Sequence, residues 1–147
     1  MGNPVDMSIE LAGVRLQNPV MPASGTFGYG QEYDTVGTAA LARLRNLGDV
    51  QHIRCQLHKN RFFCHVPNCP GNLFRQVYHA CKLPIIGIGG ISCADDVLEM
   101  IMAGATGIEI GSANLVDPWT CQKTIDALPK RMKELGIRNL EEIRGVV

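Results

Sequence analysis

Two short apolar runs, each ending in glycine, constrain this chain more than any other feature. They are "LPIIGIGGISCADD" (residues 83–96) and "ATGIEIGSANLVDP" (residues 105–118). Each reads as a buried strand of the parallel-sheet type, rich in isoleucine and lacking polar alternation. Parallel strands cannot be joined by a tight turn, so a crossover must lie between them. The intervening residues supply one. Ser92 with Asp95 three residues on resembles a capping box, Val97, Met100 and Ile101 form an apolar helical face, and Gly104 is placed to stop the helix. Before the first run, Phe74, Val77 and Tyr78 recur at helical spacing. After the second, Asp117 and Pro118 look like an N-cap and first helical residue, with Ile125 and Leu128 on the following face. Pro129 is expected to break or restart that helix. Asn139 with Glu142 caps a last short one. The C-terminal half thus reads helix, strand, helix, strand, helix: two β/α units of a parallel α/β fold.

In barrels of parallel strands, chemistry gathers at the strands' carboxyl ends, and a phosphate is often held by the loops after the last two strands. Glycine lets backbone N–H groups approach phosphate oxygens, and a helix N-terminus nearby adds partial positive charge. Gly89-Gly90 and Gly111-Ser112 occupy these positions in two consecutive units and are the candidate phosphate-binding residues. A strand ending in glycine can also be only a tight turn, but the repetition favours phosphate. "GIGGIS" lacks the third glycine of the dinucleotide fingerprint.

The N-terminal part is simpler. "MSIELAGVRL" alternates around Ala12-Gly13 as a hairpin, and a brief strand is expected near Val20-Met21, opening into a loop with Gly25, Gly28 and Gly30. Residues 34–72 differ in character. From Thr35 to Cys93 there are seven basic residues against the single acid Asp49, all four histidines and five of the six cysteines. The whole chain is nevertheless neutral, with 14 Lys and Arg against 14 Asp and Glu. Nothing in the basic stretch has the form of a nucleic-acid-binding motif. No run approaches the roughly 18 apolar residues of a membrane span, and no signal-peptide pattern opens the chain, so a cytoplasmic location is expected. Free thiols are then expected rather than a disulfide framework.

The segments "NPVMPASGTFGYGQEY" and "LPIIGIGGISCADDVLEMIMAGATGIEIGSANLVDP" resemble the FMN-dependent dihydroorotate dehydrogenases. The likeness is greatest to the cytosolic class, whose catalytic subunit works with an iron–sulfur flavoprotein. It covers roughly residues 4–33 and 73–147. The resemblance implies an α/β fold, an incomplete (β/α)8 TIM barrel with the first strand and the last two β/α units, separated by an atypical segment at 34–72. It implies FMN as cofactor and oxidation of dihydroorotate to orotate in pyrimidine biosynthesis. The implied partners are that small-molecule substrate and the iron–sulfur electron-transfer subunit, with a homo-oligomer as a further expectation and neither nucleic acid nor membrane. It places Ala23, Ser24 and Gly25 against the flavin ring, Gly89, Gly90, Gly111 and Ser112 around the phosphate, and Tyr29 and Tyr33 over the flavin edge.

The chain departs from that pattern in the middle. A (β/α)8 barrel takes about 250 residues; here roughly 40 stand where the family has most of its β/α units, as an internal deletion or out-of-frame stretch would leave. The family's flavin-contacting lysine, substrate-binding asparagines and catalytic cysteine loop belong to that part. "NCPGN" around Cys69 matches the cysteine loop only in its Cys-Pro pair and nearby asparagines, so no catalytic residue is assigned. Two other readings follow: an inactive fragment without cofactor, or a metal-binding module formed by His52, Cys55, His58, Cys64, His65 and Cys69. That run lacks paired C-x-x-C spacing, and no metal ligand is assigned. Glu109 is expected to line a pocket or join a salt bridge, and Trp119 to pack in a helix. Cys93 and Cys121 stand at helix starts, where a thiol pKa can fall, but are read as structural.

Overall fold

A computed structural model describes residues 5–11, 13–23, 71–80 and 83–147, with side chains in the first helix from residue 76 onward. The chain opens with the expected hairpin, β1 (Ile9–Leu11) and β2 (Val14–Leu16), antiparallel with Leu11 opposite Val14. Gly13 takes φ of 79° in its two-residue turn, the left-handed geometry such hairpins require. Strand β3 (Val20–Pro22) follows, then helix α1 (Gly71–Ala80), strand β4 (Ile86–Ile88) and helix α2 (Ala94–Met102). Strand β5 (Gly107–Ile110), a short helix α3 (Ser112–Val116), helix α4 (Thr120–Glu134) and a 3-10 turn at Leu140–Glu142 complete the described elements.

The second sheet is wholly parallel and has the order β3-β5-β4. Val20 pairs with Ile108 and Pro22 with Ile110 on one side of β5; Ile86 pairs with Gly107 and Ile88 with Glu109 on the other. Because side chains alternate along a strand, this register puts Val20, Gly87, Ile108 and Ile110 on one face and Met21, Ile86, Ile88 and Glu109 on the other. A β-carbon on Gly87 would meet Ile108, Met100 and Ala105, so the first face looks toward α2. A β-carbon on Gly107 would meet Met21, Ile9 and Leu11, so the hairpin packs against the second face where β5 begins. A single core results, joining Ile9, Leu11 and Leu16 to the strands, to Val97, Leu98 and Ile101 of α2, to Leu128 and Met132 of α4, and to Leu140.

Three helix boundaries differ from the sequence reading. The α2 cap is shifted by one residue: Cys93 is the N-cap, and Asp96, not Asp95, turns back to accept from the backbone N–H groups of Ser92 at 2.8 Å and Cys93 at 3.1 Å. Asp95 instead pairs with Arg131 of α4 at 2.5 Å. Helix α4 starts at Thr120 rather than at Pro118, because the Asp117 carboxylate accepts from Trp119 N–H at 3.1 Å and holds a turn there. Pro129 does not interrupt α4. The missing N–H and ring clash cost about 3 kcal/mol, whereas Leu128 and Met132, both fully buried beside it, contribute roughly 1.5–3 kcal/mol each. At the C-terminus Asn139 caps as expected, accepting from Glu141 N–H at 2.8 Å, while Glu142 reaches back to Arg138 N–H at 3.2 Å.

The C-terminal segment is tied down twice. Asp6 N–H donates to Arg138 C=O at 2.9 Å, and Gly145 N–H donates to Ile101 C=O at 3.2 Å. No helix among the described residues is long and apolar enough to cross a membrane.

Candidate functional site at the carboxyl ends of the parallel strands

Parallel pairing carries the ends of β3, β4 and β5 to the same edge of the sheet. Ala23, just beyond β3, is buried and donates its N–H to Ile110 C=O at 2.8 Å. A β-carbon on Gly111 would stand 3.4 Å from that of Ala23, so these two residues are immediate neighbours. On the other side of β5, Gly89 and Gly90 continue β4 with φ of 103° and 71°. Both lie in the left-handed region open to glycine. Among the described residues, nothing stands within 4 Å of where a Gly90 β-carbon would be. Ser112 is exposed and begins α3. Five of the seven sequence-derived site residues, Ala23, Gly89, Gly90, Gly111 and Ser112, therefore meet along one edge. Ser24 and Gly25 lie outside the described residues, as do Tyr29, Tyr33, Cys69 and the Cys/His run.

Two features of this edge escaped the sequence reading. The first is α3 itself, a single helical turn between Gly111 and Asp117 that is too short to show a period. The second is Asn114, buried within α3, whose side-chain N–H groups reach Ile110 C=O at 2.9 Å and Cys121 Sγ at 3.2 Å. The sequence signal for it was an asparagine placed between a strand-ending glycine and a helix.

The charge around the edge is organised by carboxylates. Burial of Asp96 opposes ionisation, but hydrogen bonds from Ser92 and Cys93 outweigh it and hold the carboxyl below its ordinary range. That carboxylate occupies the backbone donors of Ser92 and Cys93 ahead of α2. An anion at this edge is thus left the glycine turn itself and the start of α3. Asp117 is also lowered, by its hydrogen bond from Lys123 and then by Trp119 N–H.

Cys121, read as structural, is buried, and burial pushes its thiol up to about 11 against the lowering effect of the Asn114 hydrogen bond. Cys93 is exposed, and neither cysteine is in a disulfide. Trp119, expected to pack, is instead 36% exposed at the N-cap of α4. Glu109 is buried in the centre of the sheet, in register with Met21 and Ile88. Among the described residues no three His, Cys, Asp or Glu side chains group as metal ligands. A cavity of about 730 Å³, lined by residues including Tyr78, Thr106, Glu141 and Arg144, lies at the opposite end of the strands from the glycine turns.

Comparison with known proteins gives matches over part of the chain. Residues 68–132 match the family model described as dihydroorotate dehydrogenase. The catalytic subunit of dihydroorotate dehydrogenase B (NAD(+)) from Enterococcus faecalis is 58% identical over 71 residues, 48% of this chain and 23% of that protein. The corresponding subunit from Halalkalibacterium halodurans is 54% identical over 70 residues, 48% of this chain and 23% of that one. The chain therefore matches about a quarter of the length of these relatives. A crystal structure of the enzyme from Eimeria tenella with ferulenol aligns at a TM-score of 0.47 and 24% identity, over 52% of this chain and 21% of that one. Over residues 68–132, which carry β4, α2, β5, α3 and most of α4, this chain is similar to the dihydroorotate dehydrogenases.

Proposed function

We propose that this chain carries the FMN phosphate-binding end of a dihydroorotate dehydrogenase barrel, built from the first strand and the last two β/α units. The observation that carries this reading is the order β3-β5-β4. In a closed barrel the first strand pairs with the last, and the last with the one before it; the N-terminal strand here pairs with β5, and β5 with β4. Phosphate sites in such barrels use the loops after the last two strands and the start of a short extra helix. Gly89-Gly90, Gly111-Ser112 and α3 supply those parts.

The residues present fit the group. Among the described residues, nothing stands where a Gly90 side chain would begin and a Gly111 β-carbon would meet Ala23, which leaves backbone donors accessible to phosphate oxygens. Ser112 adds a hydroxyl at the same turn. By the family resemblance, Ala23 would be the described residue that faces the flavin ring. When bound, FMN supplies the hydride-accepting chemistry for dihydroorotate oxidation to orotate in pyrimidine biosynthesis, with an iron–sulfur flavoprotein subunit as electron-transfer partner. The described cysteines are not placed as a general base: Cys121 is buried behind α3, and Cys93 belongs to the cap of α2. We assign cofactor binding to this chain and not turnover, because the missing acid–base share alone is about 10²–10⁴ in rate.

Titration of the purified chain with FMN, followed by flavin fluorescence, tests this. Saturable binding is expected, weakened about tenfold or more by Gly90→Val, whose φ disfavours a β-branched side chain, and by Gly111→Val, which presses on Ala23. Absence of saturation near millimolar FMN would reduce the glycine turns to a family relic without cofactor.

A further inference from the structure

We infer that Asn114 is a positioning residue, which fixes the Gly111–Ser112 turn against the end of β3 and so sets the spacing of the phosphate donors. This inference deepens the flavin reading and rests on it. Asn114 is 2% exposed and brackets Gly111 from both sides. Its side chain donates to Ile110 C=O at 2.9 Å, and its backbone N–H donates to Gly111 C=O at 2.9 Å. Ile110 C=O also accepts from Ala23 N–H at 2.8 Å. One carbonyl oxygen therefore joins the end of β3, the end of β5 and α3. The same amide reaches Cys121 Sγ at 3.2 Å, which refers the joint to α4. The raised thiol remains protonated there and offers sulfur as a weak acceptor.

A second observation shows that packing does not account for the residue. Asn114 Oδ1 is buried and has no hydrogen-bond partner among the described residues. An aliphatic side chain of similar size would fill the space without stripping an amide oxygen of water. The amide thus carries a cost that leucine would not, and its return is the fixed position of the Ile110 carbonyl. A phosphate held by several N–H donors is sensitive to their relative placement, whereas a flavin ring held by apolar and van der Waals contact is much less so.

The test compares FMN with riboflavin, which lacks the phosphate, on the full chain. The unmodified chain should prefer FMN by about tenfold or more, and Asn114→Leu should reduce that preference at least about fivefold, with FMN affinity falling more than riboflavin affinity. A preference that survives, or equal losses for both flavins, would overturn the positioning role. Hydrogen exchange without ligand gives a second readout: the Ala23 amide should be protected in the unmodified chain and exchange faster in Asn114→Leu. Unchanged protection would also overturn it. Should Asn114→Leu fail to fold, Asn114→Ser, too short to reach Ile110 C=O, takes its place in both measurements. If the unmodified chain binds both flavins equally, the phosphate reading fails, and the inference about donor spacing falls with it. A chain that prefers FMN, with variants that keep the preference, refutes the Asn114 role alone.

Discussion

Single residues decide how the glycine edge is charged. Asp96 caps α2 through Ser92 and Cys93, and replacing it by alanine should cost about 0.5–2 kcal/mol, the range for a lost N-terminal cap. The pH dependence follows from its lowered pKa. The folded value lies below the unfolded one, so the stabilisation is complete above the ordinary Asp range near 3.8 and is lost as pH falls through the folded value. Urea midpoints taken from pH 6 down to 2 should fall less steeply in Asp96→Ala than in the unmodified chain. Thiol reactivity separates the two described cysteines. Cys121 is buried and its thiol is pushed up to about 11, so alkylation of the native chain at pH 8 should modify Cys93 and spare Cys121. Peptide mass spectrometry distinguishes them, and early modification of Cys121 would contradict its placement behind Asn114.

At the scale of elements, the joint between α1, α2 and the C-terminal segment rests on one aromatic ring. Tyr78 lies over Gly104, just past the end of α2, and over Gly145. A β-carbon on Gly104 would stand 2.5 Å from Tyr78 Cγ, and the φ of 116° is itself unsuited to an L side chain. Gly104→Ala should therefore destabilise the chain by about 2 kcal/mol or more, read as a lower urea midpoint. Tyr78→Ala in the same background should recover part of that loss, because it removes the clash but not the backbone strain. The glycine stop was legible in the sequence, where Gly104 follows a helical apolar face. The ring above it was not, since Tyr78 and Gly104 are joined only by packing. Helix α4 makes the same point from the other side: Pro129 signals a break locally, and burial of its neighbours overrides it.

For the whole molecule, the hairpin, the parallel sheet and the two longer helices share one core, so the described part should unfold as one unit. Leu11 in the hairpin and Leu128 in α4 are both fully buried at opposite ends of the sequence. Leu11→Ala and Leu128→Ala should each cost about 2–5 kcal/mol and lower the midpoint of the same transition. Separate transitions, one sensitive to each substitution, would show that the hairpin is not integral to the sheet. The parallel β3-β5 pairing makes the same demand, because it joins residues 20–22 to residues 108–110.

The sequence by itself determined the strands, their glycine ends and the parallel α/β class, because these follow from local periodicity, φ preference and the need for a crossover. It also carried the family resemblance, which lives in the same short motifs. Only the tertiary structure decided that β3 lies beside β5, that Asp96 rather than Asp95 caps α2, and that Cys121 is buried and protonated. The same holds for Asn114, which joins two strand ends through one carbonyl. Each of these depends on which residues meet after the chain has folded, and a contact such as that of Val20 with Ile108, 88 residues apart, leaves no period or spacing to read.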